Sequence, residues 1–368
     1  MRKRRIGAVA IVVAASLIAA ACGSSSSSSS SSGGSSNTSS SSGAKATITG
    51  AGSTFAAPIY QQWGSNLGSQ GVTVNYNASG SGAGVAQLQA GTVDFAGSDP
   101  AEKPSEISAG KGPVAQFPIA FGAITVSYNL PGVKSGLKLD GATIANMFLG
   151  KVKSWNDPAI KSLNPGVSLP STSITIVHRS DSSGTTKGFA QFLSAYSPAW
   201  TAAAGKPDKT VEWPTGTGAK GNSGVAAAIK QTPGAVGYVE QAYALQNNFT
   251  FADVKNKSGT YVAPSLDAAS AAAVGTKVPA DLTISVINSP NPAAYPITSQ
   301  TFVIVYKDMC KAGVSQSAAS GVKKLISYGL GAGQGVEKQL FYAPLPSSLL
   351  AKDQAQLNTL TCNGSPLS

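Results

Sequence analysis

Nine consecutive residues, HRSDSSGTT at 178–186, set one guanidinium, one carboxylate, five hydroxyls and a glycine side by side. Two other stretches share this bias toward small polar residues, GAGSTF at 50–55 and NASGSGAG at 77–84. A fourth, VDFAGSD at 93–99, ends on Asp99. Hydroxyls donate hydrogen bonds, glycine lets a ligand approach the backbone, and Arg179 adds a rigid cationic fork. Together these groups suit a small tetrahedral anion. Any one stretch alone also reads as ordinary helix capping, because Ser, Thr and Asp are favoured N-caps whatever the function. Three such stretches, with Arg179 beside one and Asp99 closing a further strand, favour the anion.

Groups of this kind need elements that bring them to one place. The stretch around AKATIT (44–49) reads as extended, and Pro58 opens a helix on which Ile59, Trp63 and Leu67 recur at helical spacing. VTVNY (72–76) reads as a strand, followed by a helix carrying Val85 and Leu88. SITIVHR (173–179) is a strand, and the helix after it places Phe189, Phe192, Leu193 and Tyr196 on one face. VGYV (236–239) and TFVIVY (301–306) are apolar strands. The polar stretches therefore fall at strand-to-helix junctions. A helix N-terminus offers N–H groups without intrahelical partners and a partial positive charge, and several converging on one cleft would hold an anion. Alternating strands and helices predict α/β layers, and 368 residues predict two lobes rather than one core.

Other chemistries find less support. GTGAKG at 216–221 matches the dinucleotide pattern GxGxxG, but it follows Glu212, Trp213 and Pro214 rather than a clean strand. Neither a P-loop nor a GxSxG elbow occurs. His178 is the only histidine, so any Ser-His-Asp triad would have to use it, and it reads as structural. One histidine and distant cysteines are too few ligands for a metal, and no catalytic residue is assigned.

Charged residues are only 12% of the chain, and the formal net charge is +11. Lysines are scattered without a basic run, which argues against nucleic acid. MRKRR followed by the mainly apolar 16-residue region 6–21 reads as a signal peptide, too short to span a bilayer. Its end, Ala19-Ala20-Ala21-Cys22, resembles a bacterial lipobox, implying cleavage after residue 21 and lipidation of Cys22. The alternative is ordinary secretory cleavage after Ala21, and both place the chain outside the cytoplasm. Loss of Arg2, Lys3, Arg4 and Arg5 takes four of the 27 basic residues and leaves +7 against the 16 acidic ones. Residues 22–44 are Ser/Gly-rich and read as a disordered tether. Cys310 and Cys362 remain; an oxidising compartment favours one disulfide, with two unpaired thiols as the alternative.

Seven segments occur in order between about residues 46 and 306: ITGAGSTFAAPIYQQW (48–63), VNYNASGSGAG (74–84), VDFAGSDP (93–100), FLGKVKSWNDPAI (148–160), HRSDSSGTT (178–186), GAVGYVEQAYALQNN (234–248) and YPITSQTF (295–302). Through them the chain resembles the substrate-binding lipoproteins of bacterial high-affinity phosphate ABC transporters. The resemblance implies a type II two-lobed periplasmic-binding-protein fold of the α/β class, with two hinge strands and a ligand cleft between the lobes. Lobe 1 would comprise 45–119 and 299–368, with the Cys310–Cys362 disulfide inside it, and lobe 2 would be 120–298. The hinge crossings would be QFPIAFG (116–122) and YPITSQTF (295–302).

The resemblance also implies phosphate contacts from Thr54, Phe55, Ser81, Asp99, Arg179, Ser183, Gly184 and Thr185, supported by Ser53 and by Asp181 as partner of Arg179. Two departures stand out. GSGAG replaces the family's commoner GSSGG, removing a serine after Ser81, and Ser182 stands where glycine is common. In this scheme Asp99 accepts a proton that phosphate still carries and sulfate lacks. The expected protein is a monomer without cofactor, anchored outside the cell membrane through Cys22. It would deliver phosphate to two permease subunits driven by an ATPase. The alternatives are another oxyanion such as sulfate or molybdate, a phosphatase, or an added surface role.

Overall fold

The computed structural model describes residues 45–107, 110–284 and 286–367. The expected signal peptide, the lipidation site Cys22 and the tether lie outside the described residues. Eleven strands form one mixed sheet: β1 (Ala46–Gly52), β2 (Val72–Asn77), β3 (Phe95–Ser98), β4 (Val114–Tyr128), β5 (Leu137–Leu139), β6 (Thr175–Arg179), β7 (Thr217–Ala219), β8 (Ala235–Glu240), β9 (Thr250–Lys255), β10 (Tyr261–Val262) and β11 (Thr298–Tyr306). The order along the sheet is β2-β1-β3-β11-β4-β8-β6-β7, and β9 attaches β5 and β10 beside β4.

β4 organises this arrangement. Its first part, from Val114 to Ala123, pairs antiparallel with β11, and its last part, Ile124 to Tyr128, pairs antiparallel with β8. One strand thus belongs to two sheet halves. The register slips where Thr301 faces Ala120 and Phe302 faces Pro118. Proline has no N–H to give the ladder, so a bulge there is expected.

In the first half β1 runs parallel to β2 and β3, and in the second β6 runs parallel to β7 and β8. Parallel strands need crossover helices, and each crossover starts at the carboxyl end of a strand. β1 leads to helix Ala57–Gly68, β2 to Ser81–Ala90, β6 to Gly184–Tyr196 and β7 to Gly221–Gln231. The helical spacing of the sequence holds: Ile59, Trp63 and Leu67 are buried, as are Phe189, Phe192 and Leu193, while Tyr196 is half-buried. Phe189 stacks on Tyr238 of β8 at 4.4 Å between centroids, fixing the Gly184–Tyr196 helix against the sheet. Cys310 and Cys362 are joined as a disulfide, with a Cα–Cα distance of 4.6 Å. Among the described residues no helix is long and apolar enough to cross a membrane.

Candidate anion-binding site

The junction residues meet between the two sheet halves. Ser53, Thr54 and Phe55 follow β1, Ser81 starts the helix after β2, and Asp99 follows β3, joined to Pro100 by a cis peptide bond. Arg179 ends β6, Asp181 lies in the turn, and Ser183 caps the helix that Gly184 and Thr185 begin. All but Asp181 are buried; Asp99 is 1% and Arg179 2% exposed. The halves touch directly. The Gly184 N–H donates to Ser81 Oγ at 3.3 Å, and the Gly82 N–H donates to the Ser182 carbonyl at 3.1 Å. Gly184 packs so closely on Asp99 that a Cβ there would lie 1.5 Å from the Asp99 carbonyl oxygen and 2.4 Å from Oδ2. Only glycine fits at that approach.

Each side contributes one carboxyl to the expected site set, Asp99 and Asp181, and the two differ. On the second half, Arg179 Nε donates to Asp181 Oδ1 at 2.7 Å, and Nη2 pairs with Oδ2. The Gly221 N–H donates to the same Oδ1 at 3.0 Å. Burial would raise the Asp181 carboxyl, but the bonds and charge of Arg179 and the Gly221 N–H outweigh it and hold it below its ordinary value. On the first half, burial pushes Asp99 up to about 6, against the Ser53 hydroxyl, the Arg179 charge and the Thr301 hydroxyl, which pull it down. Thr301 Oγ1 donates to Asp99 Oδ1 at 3.2 Å.

Phe55 takes part through its backbone. Its ring is buried edge-on to Tyr342 at 5.9 Å, and its carbonyl accepts from Tyr342 Oη at 2.6 Å. Tyr342 Oη also lies 2.9 Å from Glu240 Oε2. The phenol donates to both the Phe55 carbonyl and Glu240 Oε2, its one proton shared between them. Burial holds that carboxyl well above its usual range, the Asp99 charge adding to the effect against bonds from Tyr342 and nearby N–H groups. Ser53 Oγ accepts from the Ala56 N–H at 3.1 Å and so caps the turn into the first helix.

Sequence reasoning missed several members. Asn222, wholly buried, donates its backbone N–H and Nδ2 to Thr54 Oγ1 at 3.1 and 2.9 Å, and Nδ2 also to Thr185 Oγ1 at 3.2 Å. Its signal is present in GTGAKGN, whose glycines read as no more than a weak dinucleotide match. There β7 lies within the pattern, and Gly221, at φ +71°, starts the helix that carries Asn222. Lys209 was missed as well: its Nζ pairs with buried Glu102 Oε2 at 2.6 Å, and its carbonyl accepts from the Ser183 N–H at 2.8 Å. His178 takes no part in the cluster. It stacks on Trp213 at 4.5 Å, and its Nδ1 lies 3.0 Å from the Arg179 carbonyl.

The arrangement is rich in donors. Arg179 Nη1 reaches Thr185 Oγ1 at 3.3 Å, and Ser183 Oγ accepts from the Thr186 N–H at 3.1 Å. Hydroxyl oxygens engaged as acceptors keep their protons to give. The first-turn N–H groups of Thr185 and Ser81 have no acceptor within their own helices by position. Asp99 is the carboxyl of the expected contact set, and its bond is from a hydroxyl rather than from a cation. Such a site can hold an oxyanion and take one proton from it. Among the described residues no group of three His, Cys, Asp or Glu could hold a metal ion.

The chain is similar to known proteins in sequence and in fold. The family described as PBP superfamily domain matches residues 37–331. The chain is 40% identical over 317 residues to phosphate-binding protein PstS of Pasteurella multocida (strain Pm70), covering 85% of this chain and 90% of that one. It is 35% identical over 334 residues to phosphate-binding protein PstS 3 of Mycobacterium tuberculosis (strain CDC 1551 / Oshkosh), covering 86% and 88%. Among solved structures, a high affinity periplasmic phosphate-binding protein bound with phosphate matches with a TM-score of 0.68 at 22% identity, over 84% of this chain and 93% of that one. The phosphate-binding protein from Stenotrophomonas maltophilia matches with a TM-score of 0.61 at 20% identity, over 84% and 93%.

Proposed function

The chain belongs to the PBP superfamily and, within it, to the PstS family of phosphate-binding proteins, and from that membership we propose that it captures inorganic phosphate with high affinity outside the cytoplasm and delivers it to a phosphate ABC transporter. One observation carries the reading: a buried guanidinium, Arg179, and a set of hydroxyl and N–H donors face one carboxylate, Asp99, that burial pushes up to about 6. Burying an anion is tolerable only when its oxygens are nearly all hydrogen-bonded, which this donor set supplies. Phosphate near neutral pH still carries a proton, and Asp99 accepts it. Sulfate has none, and would leave two acceptors face to face.

In this reading Thr54, Phe55, Ser81, Arg179, Ser183, Gly184 and Thr185 surround the anion, Ser53 and Asp181 support them, and no cofactor takes part. Lobe 1 spans 45–119 and 299–368, lobe 2 spans 120–298, and β4 and β11 are the hinge strands between them. Closure of the lobes is what the two permease subunits read, and the ATPase drives transport. The mature protein starts at a lipidated Cys22 and stands off the membrane as a monomer on its tether. In this reading it binds and releases phosphate without catalysis.

Calorimetric titration of ligand-stripped protein with phosphate and with sulfate tests the reading. Tight phosphate binding with sulfate at least a hundred-fold weaker is expected. No heat with phosphate, or turnover of a chromogenic phosphoester, would overturn it.

A further inference from the structure

Asn222 stands outside the expected contact set, yet it bonds two of its members, one from each sheet half. Its Nδ2 carries two protons, one directed at Thr54 Oγ1 (2.9 Å) and one at Thr185 Oγ1 (3.2 Å). Its backbone N–H reaches Thr54 Oγ1 as well, at 3.1 Å. Its Oδ1 accepts the Glu240 N–H at 2.9 Å. That last bond fixes the amide: a backbone N–H tolerates only the oxygen, so the nitrogen must face the two threonines. The side chain is buried to 0% exposure and no part of the amide is left unused.

Lone pairs set the direction of each hydroxyl. A threonine hydroxyl has two lone pairs and one proton. Thr54 Oγ1 receives two N–H groups, both from Asn222. Thr185 Oγ1 receives two more, from Asn222 Nδ2 and Arg179 Nη1. Both hydroxyls are filled as acceptors and can act only as donors. Thr54 follows β1 in one sheet half, whereas Thr185 and Asn222 belong to the other. The same amide therefore sets the polarity of two hydroxyls and ties the halves together.

We propose that Asn222 is a positioning and specificity residue for anion capture, which forces Thr54 and Thr185 to present protons to the ligand and couples that polarity to closure of the two halves. The proposal rests on the phosphate reading above. Without the amide, the hydroxyls could turn and offer lone pairs to the anion. With a carboxylate in its place, they would spend their protons on residue 222.

Ligand-stripped wild type, Asn222→Ala and Asn222→Asp are titrated with inorganic phosphate by calorimetry at pH 8 and pH 5.5, with thermal melts as folding controls. The Ala variant should bind about ten-fold more weakly than wild type at both pH values. The Asp variant should bind about a hundred-fold more weakly at pH 8 and recover toward the Ala variant at pH 5.5, where a protonated carboxyl donates once. A residue that merely fills space would show the reverse order, since Asp keeps the shape that Ala loses. An Asp variant within two-fold of wild type at pH 8 overturns the proposal. A Thr54→Val background gives a second test that stands even if the Asp variant does not fold. There Asn222→Ala should cost clearly less than in wild type, and an equal cost overturns the proposal. Absence of phosphate binding by wild type itself would instead overturn the phosphate reading, and this assignment with it.

Discussion

Asp181 and Asp99 stand in the same cluster on opposite sheet halves, and their carboxyls are displaced in opposite directions. Asp181 is bound on both oxygens by Arg179 and by the Gly221 N–H, so it stays charged and holds the guanidinium in place. Asp99 is more deeply buried and meets hydroxyls rather than a cation, so its proton leaves only near pH 6. In the proposed function these identical side chains divide the labour: one would position the charge that attracts an anion, the other would judge whether the anion carries a proton. The division comes from the partner each half supplies and not from the residue type.

The strongest way to break this comparison is to remove the cation. Arg179→Met leaves the half-buried Asp181 without its counter-charge, a loss on the order of 1–3 kcal/mol. Phosphate affinity should fall roughly a hundred- to several-thousand-fold in calorimetry. A loss below ten-fold would mean that the donors hold the anion without it. Asp99→Asn tests the other half. Phosphate affinity should fall about ten- to hundred-fold while sulfate affinity rises, so that the selectivity gap narrows.

The pH dependence of Asp99 comes from its raised value. Ligand-free native protein holds this proton more tightly than the unfolded chain between pH ~4 and pH ~6. Asp99 thus costs no stability below pH ~4 and costs progressively more as pH rises to about 6, on the order of 3 kcal/mol above that. Ligand-free Asp99→Asn should therefore melt higher than wild type at pH 8, and the difference should vanish by pH 4. In wild type, sulfate affinity should rise as pH falls through about 6, because a neutral Asp99 becomes a donor. A sulfate affinity flat across that range would separate Asp99 from selectivity.

The junctions were legible because capping residues, glycines and helical spacing are local signals. Ile59, Trp63 and Leu67 announced their helix, and GAGSTF, NASGSGAG and HRSDSSGTT announced where helices start. Asn222 and Thr301 were not legible, since each is one polar residue whose meaning appears only when distant segments meet. Thr301 reaches Asp99 because β11 lies beside β3, a pairing of residues some two hundred apart in sequence. The change of partners along β4 depends equally on where β8 arrives. The glycine pattern at 216–221 reads as no more than a weak dinucleotide match, whereas its last glycine and the asparagine after it bond within the cluster. Glu240 was invisible for another reason: a sequence does not say which carboxyls are buried.

The smallest expected effect tests how finely the halves are matched. The two departures from the family pattern, a missing serine at Gly82 and an added one at Ser182, meet across the site. A Cβ on Gly82 would lie 2.0 Å from Ser182 Oγ and 2.6 Å from Ser182 Cβ. Gly82 lies within helix Ser81–Ala90 and is not among the positive-φ glycines, so the backbone itself would accept a side chain. Space alone forbids it, and the occupant of that space is the other departure. Gly82→Ser should therefore weaken phosphate binding by about 1–2 kcal/mol, roughly ten-fold, by forcing the halves apart. Ser182→Gly should change little. The double variant, which exchanges the two residues across the site, should return to within about three-fold of wild type. Equal harm from Gly82→Ser in both backgrounds would show that the serine at 182 is not what excludes one at 82. Recovery would show that the serine at 182 fills the space a side chain at 82 would need, and that the two walls are matched as one surface.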